Sequence, residues 1–228
     1  MNVLLFGATG MVGQGVLREC LLDRNVQLVQ TIGRSSTGVQ HPKLQEILHR
    51  DLLHFESIEP ALVDFDACFF CLGVSSYRMT EEDYQRITFR ITMAAAETLW
   101  RLNPQMTLIY VSGAGTDSSE RGRTMWARVK GKTENALLGS PLAAAYIFRP
   151  GFIEPLDGIR SKTTVYRALY VIAKPLLPLL RLLFPNQVLT TRQIGQAMLS
   201  VARHGSPKRI LESADIRAVA QRYLEEQT

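Results

Sequence analysis

Three cysteines in 228 residues are too few for a disulfide framework. The four histidines, His41, His49, His54 and His204, are scattered, with no HExxH pair and no acidic cluster at ligand spacing. A stapled secreted scaffold and a metalloprotease-type zinc enzyme are therefore excluded. No run of five basic residues occurs, and 26 basic against 21 acidic residues leave a formal charge of +5. That bias is too small to mark a nucleic-acid binder. No internal repeat or low-complexity stretch divides the chain. Its start, Met1 to Gly10, lacks the basic leader, long apolar core and small-residue cleavage site of a secretory signal. A reducing cytoplasm is the expected location.

What the chain does have is apolar surface: 46% of its residues are hydrophobic and 21% charged, spread along the whole length. One globular domain over residues 1–228 is expected. Cys68 and Cys71 form a CxxC that could be read as a redox or metal motif. Their segment reads as a strand, however, and residues three apart on a strand point to opposite faces. The pair is expected to be structural.

Short apolar runs ending in turn residues alternate with segments of helical period. Strands are expected at 2–7, 26–34, 44–48, 66–73, 106–113 and 143–151. Between the first two, Val12, Val16, Leu17, Cys20 and Leu21 recur at helical spacing. Ile87, Ile91, Ala94, Ala95, Thr98, Leu99 and Leu102 stripe a helix before the fifth strand, and another helix runs from about Thr124 to Leu138. This βαβα order with near-continuous apolar strands predicts an α/β fold, a doubly wound parallel sheet covered by helices on both faces. Ligands of such sheets bind at the carboxyl ends of the strands, where strand order reverses. Each glycine-bearing strand end is thus expected to line one crevice.

The turn Gly7-Ala8-Thr9-Gly10-Met11-Val12-Gly13 follows the first strand and opens the first helix. A pyrophosphate at a helix N-terminus needs backbone approach closer than a side chain permits, which requires glycine where the chain turns and where helix meets strand. Strand, turn and helix together give this triplet its meaning as a dinucleotide site. The second strand then decides which dinucleotide. An NAD site places an acid there for the ribose hydroxyls, whereas an arginine accommodates a 2′-phosphate. This chain has Gly33-Arg34-Ser35-Ser36 and no acid. Arg34 can fork onto the phosphate and the serines can add hydroxyl donors, so NADP is expected over NAD.

The glycine turn, Gly33-Arg34, Asp51-Leu52, Cys71-Leu72-Gly73, Ser112 and Arg149-Pro150-Gly151 occur in an order that resembles an atypical short-chain dehydrogenase/reductase of the NAD(P)-binding epimerase/dehydratase-like group, near the Tat-interacting-protein branch and its bacterial relatives. The resemblance runs over residues 1–205 and implies a Rossmann fold. It further implies that Asp51 and Leu52 flank the adenine, that Leu72 and Gly73 lie against ribose and pyrophosphate, and that the turn at Pro150 closes over the nicotinamide side. Members of the group carry a serine with a YxxxK pair one helical turn apart, in which the lysine holds the ribose and lowers the tyrosine pKa while the tyrosine moves the proton.

Ser112 and Lys130 match that pattern, but Trp126 stands where the tyrosine belongs. An indole N–H donates a hydrogen bond yet does not titrate near neutral pH. Three readings follow: an NADP-dependent oxidoreductase on a small apolar carbonyl or alcohol, whose proton comes from Tyr77 or from water ordered by Ser112; an NADP-binding redox sensor or scaffold without turnover; or Trp126 as plain core filling. The run at 165–185 is strongly apolar, but Arg167, Lys174, Arg181 and three prolines break it short of the ~20 clean residues of a spanning helix. It reads as part of a small helical C-terminal lid at 152–190 over the substrate pocket, or as a patch for membrane or partner protein. Beyond it, Ile194, Ala197, Met198, Val201 and Ala202 mark a structural helix.

Overall fold

The computed structural model describes residues 1–141, 144–159 and 187–227. Strand β1 (Asn2–Phe6) shows why the chain chooses a buried parallel sheet. Val3, Leu4, Leu5 and Phe6 are all inaccessible to solvent, so both faces of the strand are covered. Its side chains alternate between two cores: Val3 and Leu5 join one cluster, Leu4 and Phe6 the other. Helix α1 (Met11–Leu22) supplies Val16, Leu17 and Cys20 to the first cluster. The chain then returns through β2 (Leu28–Gly33) and β3 (Leu44–Leu48), and a short 3₁₀ turn at Glu59–Ala61 leads to β4 (Ala67–Phe70).

After β4 come α2 (Glu81–Gln85), a π-helical turn (Arg86–Arg90) and α3 (Ile91–Leu102), then β5 (Thr107–Val111), α4 (Met125–Leu138) and β6 (Ala144–Arg149). A separate two-stranded parallel sheet joins β7 (Phe152–Glu154) to β8 (Val188–Thr190). Helix α5 (Thr191–His204), strand β9 (Ile210–Glu212) and helix α6 (Ser213–Gln227) complete the described chain. The main sheet has seven parallel strands in the order β3-β2-β1-β4-β5-β6-β9. Its strand order reverses between β1 and β4, which makes the gap beyond their carboxyl ends the natural ligand position. Helices α1, α5 and α6 cover one face, while α3 and the Leu137 end of α4 cover the other.

Cys68 and Cys71 fall on opposite sides of the sheet, as the strand spacing requires. Cys68 lies in the second core, Cys71 against the first beside Cys20, and all three are free thiols. Burial pushes the Cys68 and Cys71 thiols well above the usual range, as expected of inert core cysteines.

Two expectations need correction. The helical stripe assigned before β5 holds at Ala95 and Leu99, which are buried, and at Ile91, Ala94 and Leu102, which pack against the second core, but it leaves out the buried Thr88, Thr92 and Ala96 and includes the half-buried Thr98. The π turn rotates the face, so that Ile87 lines the cleft described below and Ile91 lines it while still packing on the second core. The lid was expected to be helical over 152–190, but its described ends are the strands β7 and β8. The apolar run at 165–185 lies outside the described residues. Among those described, no helix is long and apolar enough to cross a membrane.

Candidate cofactor and active site

Gly7 leaves β1 at φ +77°, and its carbonyl accepts the Gly10 N–H at 2.9 Å. A Cβ here would lie 2.6 Å from the backbone of Cys71 and Leu72, so the turn fits only as glycine wedged between the ends of β1 and β4. On Gly13 a Cβ would come within 2.1 Å of the Gly7 carbonyl oxygen, because α1 starts flush against the strand it follows. Gly10 caps α1 with extended backbone. Among the described residues no side chain accepts the first N–H groups, and no acid sits in the first turn. Unsatisfied donors and the positive end of the helix dipole are thus left at the cleft.

The cleft measures about 1270 Å³, above the roughly 300–1000 Å³ of a drug-sized pocket. Five strand-end glycines share its wall: Gly7 after β1, Gly33 of β2, Gly73 after β4, Gly113 after β5 and Gly151 after β6. Positions Gly73 and Gly113 open into empty space within 4 Å, so a side chain at either would occupy room a ligand can use. Thr9, Gly10, Met11, Val12 and Leu72 continue the floor. Gly13 is not part of the wall and acts from behind, through the close packing just described.

At one end lie Arg34, Ser35, Asp51 and Leu52, together with Thr37 and Arg50, which the sequence reading passed over. No carboxylate ends β2. Ser36 does not take part, since its hydroxyl donates to Glu46 at 2.6 Å. The Asp51 carboxylate pairs with His54 Nδ1 at 2.9 Å and accepts the Leu53 N–H, contacts that hold it below the usual carboxylate range.

Ser112, Trp126, Lys130 and Pro150 meet at the other end. Lys130 is half-buried against the Tyr110 ring, its Nζ 5.5 Å from the centroid, with no hydrogen-bond or ion-pair partner among the described residues. Burial lowers its pKa to about 8, opposed by the Glu134 charge. Trp126 precedes it by one helical turn. Ser112 is 8% exposed and lies 3.1 Å from Thr116 Oγ1, which itself donates to the Gly113 carbonyl. With the threonine hydrogen so used, Ser112 is the donor between them. Ile87, Ile91, Phe152 and Ile153 make the neighbouring wall apolar.

Tyr77 is not brought to this group. It is 62% exposed, stacked under the Arg78 guanidinium and absent from the cleft wall. The tyrosine in the wall is Tyr84, 2% exposed on α2. The sequence marks a helix start at Thr80 and its acid-rich first turn, but not Tyr84 itself, whose place in the wall depends on how α2 packs against α4. Arg149, the first residue of the Arg149-Pro150-Gly151 turn, does not line the cleft. Its guanidinium turns behind α4 to the buried Glu134 and to Ser118, leaving Pro150 and Gly151 to face the cleft. Among the described residues no group of three or more His, Cys, Asp or Glu is placed to hold a metal.

Comparison with known proteins agrees with this geometry. Protein FMP52-2, mitochondrial, of Scheffersomyces stipitis is 26% identical over 154 residues, which are 67% of this chain and 66% of the relative. Protein HTATIP2 of Rattus norvegicus is 24% identical over 155 residues, 67% of this chain and 62% of that one. The chain therefore spans slightly under two thirds of these curated relatives. Among solved structures, the Bordetella bronchiseptica enzyme WbmF in complex with NAD+ superposes with a TM-score of 0.67 at 14% identity, covering 98% of this chain and 77% of WbmF. A short-chain dehydrogenase/reductase family oxidoreductase from Burkholderia thailandensis gives 0.67 at 13% identity, with 99% and 96% covered. Those two likenesses speak for the fold. Residues 3–122, just over half of the sequence, match the NAD dependent epimerase/dehydratase family. The chain belongs to that family and is built on its NAD(P)-binding fold.

Proposed function

We propose that the protein is an NADP-dependent oxidoreductase acting on a small, largely apolar carbonyl or alcohol. The observation that carries this reading is the shared cleft. One wall joins an uncapped helix N-terminus, an arginine in place of the acid after β2, and a half-buried lysine with no ion-pair partner among the described residues. Each answers a different part of the dinucleotide: the amides its pyrophosphate, Arg34 and Ser35 its 2′-phosphate, and Lys130 its ribose hydroxyls. NADP supplies the hydride chemistry when bound. Asp51 and Leu52 flank the adenine in this reading, and Pro150 closes over the far end.

The chain's own contribution is positioning and a proton. Ile87, Ile91, Phe152 and Ile153 favour an apolar substrate body and exclude water. Ser112 swings its hydroxyl from Thr116 to the substrate oxygen. Trp126 cannot deliver the proton, and Tyr77 lies away from the wall, so the donor proposed is Tyr84. A second reading, an NADP-binding redox sensor without turnover, is favoured by Trp126 alone. The discriminating experiment is NADPH oxidation over a panel of aldehydes, ketones and quinones. The oxidoreductase reading expects turnover that Lys130→Ala abolishes and Tyr84→Phe lowers about 10²-fold or more, with Tyr77→Phe unaffected. Tight NADPH binding without turnover across the panel selects the sensor.

A further inference from the structure

We propose that Arg50 is a second anchor for the cofactor's 2′-phosphate, sharing it with Arg34 and so setting cofactor choice; the inference rests on the NADP reading above. Strands β2 and β3 pair in parallel with Gly33 opposite Leu48, and the His49 N–H donates to the Gly33 carbonyl at 2.9 Å. Arg34 and Arg50 leave the ends of these neighbouring strands, which run about 4.8 Å apart. Both enter the same end of the cleft wall, beside Ser35, Thr37 and Asp51.

Among the described residues their charges are uncompensated. Arg128, Arg149, Arg192 and Arg203 each meet a carboxylate. Among the described residues neither Arg34 nor Arg50 has a hydrogen-bond or ion-pair partner. Two nearby carboxylates are already engaged. Glu46 accepts from the Ser36 hydroxyl and the Thr37 N–H, and Asp51 from Leu53 and His54. Two free guanidiniums at one edge repel each other until an anion lies between them. A phosphate dianion has enough acceptor oxygens for both planar forks, and with only one arginine half of its charge stays unpaired.

Calorimetric titration of 2′,5′-ADP and of 5′-ADP isolates the extra phosphate without the nicotinamide half. Arg50→Ala is expected to raise the Kd for 2′,5′-ADP about tenfold or more, the scale of a lost charge-assisted hydrogen bond, and to leave 5′-ADP within about twofold. Arg34→Ala should do the same, and the double variant should bind both ligands alike. Unchanged 5′-ADP affinity certifies folding, and Arg50→Gln replaces the alanine variant if that one does not fold. The inference is overturned if Arg50→Ala weakens both ligands equally. It also fails if only Arg34→Ala removes the preference. A wild-type protein that binds both ligands equally would refute the NADP reading itself, a distinct result.

Discussion

Lys130 carries a half-buried ammonium that no anion touches among the described residues. Its pKa is lowered to about 8 by burial, against 10.5 ordinarily. In the unfolded chain the amine keeps its proton up to the higher value, so between pH 8 and 10.5 the unfolded state holds more protons and folding stability rises with pH. Below pH 8 both states are protonated and the whole cost of burying the charge is present, on the order of 3 kcal/mol. Lys130→Met should therefore raise the apo melting temperature at pH 7 by about 5–10 °C while weakening cofactor binding. The gain over wild type should shrink toward zero near pH 10. Paired melts at pH 7 and pH 10 check this, and a variant less stable than wild type at pH 7 would refute it. The sequence exposed Lys130 through its spacing to Trp126 and Ser112. It could not expose Tyr84 or the turning away of Arg149, because both depend on which face of α4 meets α2 and β6.

At the scale of elements, α1 is pinned from two sides by glycines that act differently. Gly13 meets the Gly7 carbonyl and the Ala8 Cα, backbone that cannot yield without lifting the helix from β1. Gly15 meets Thr191 at the start of α5, where an added Cβ would fall 2.6 Å from the threonine Cβ. Alanine at Gly15 should overpack this contact and destabilise by about 1–3 kcal/mol, with the NADPH Kd within about twofold of wild type. Alanine at Gly13 should destabilise at least as much and also abolish binding, because the helix N-terminus moves with it. Urea unfolding paired with calorimetry separates the two, and equal loss of binding by both would show that α5, rather than β1, sets the position of α1. This is also where sequence pattern succeeds and fails. Parallel strands buried on both faces announce themselves as apolar runs, as β4 does at Ala67–Phe70, and the half-exposed edge strand β3 is also found at the expected residues, Leu44–Leu48. Ile87 looks like core in any periodic reading, yet it lines the cleft beside the π turn, and Ile91 serves both, packing on the second core while lining the cleft. Three-residue strands such as β8 and β9 are too short to leave a period at all.

Over the whole molecule, the cleft is where the two halves of the sheet meet. Its wall draws on chain from Gly7 to Ile153, including the ends of β1, β2, β4, β5 and β6. The unfolded chain cannot assemble such a wall, so a ligand that fills it binds the native state alone and stabilises the fold by mass action. At one hundred times its Kd the gain is about 2.7 kcal/mol, which for a chain of this size amounts to about 5–10 °C in Tm. NADPH should produce that shift at a concentration where NADH produces a smaller one, the difference being the share of binding carried by the 2′-phosphate at Arg34. Raising the ionic strength should narrow the gap, because that end of the cleft is open to solvent and its charges are screened. Equal shifts from the two nucleotides at every salt concentration would leave the pyrophosphate turn intact as a binding element and remove the basis for choosing NADP. A Tm unmoved by either nucleotide at millimolar concentration would mean that the glycine turn serves only to pack α1 against β1, and that the family's cofactor is not held by this chain.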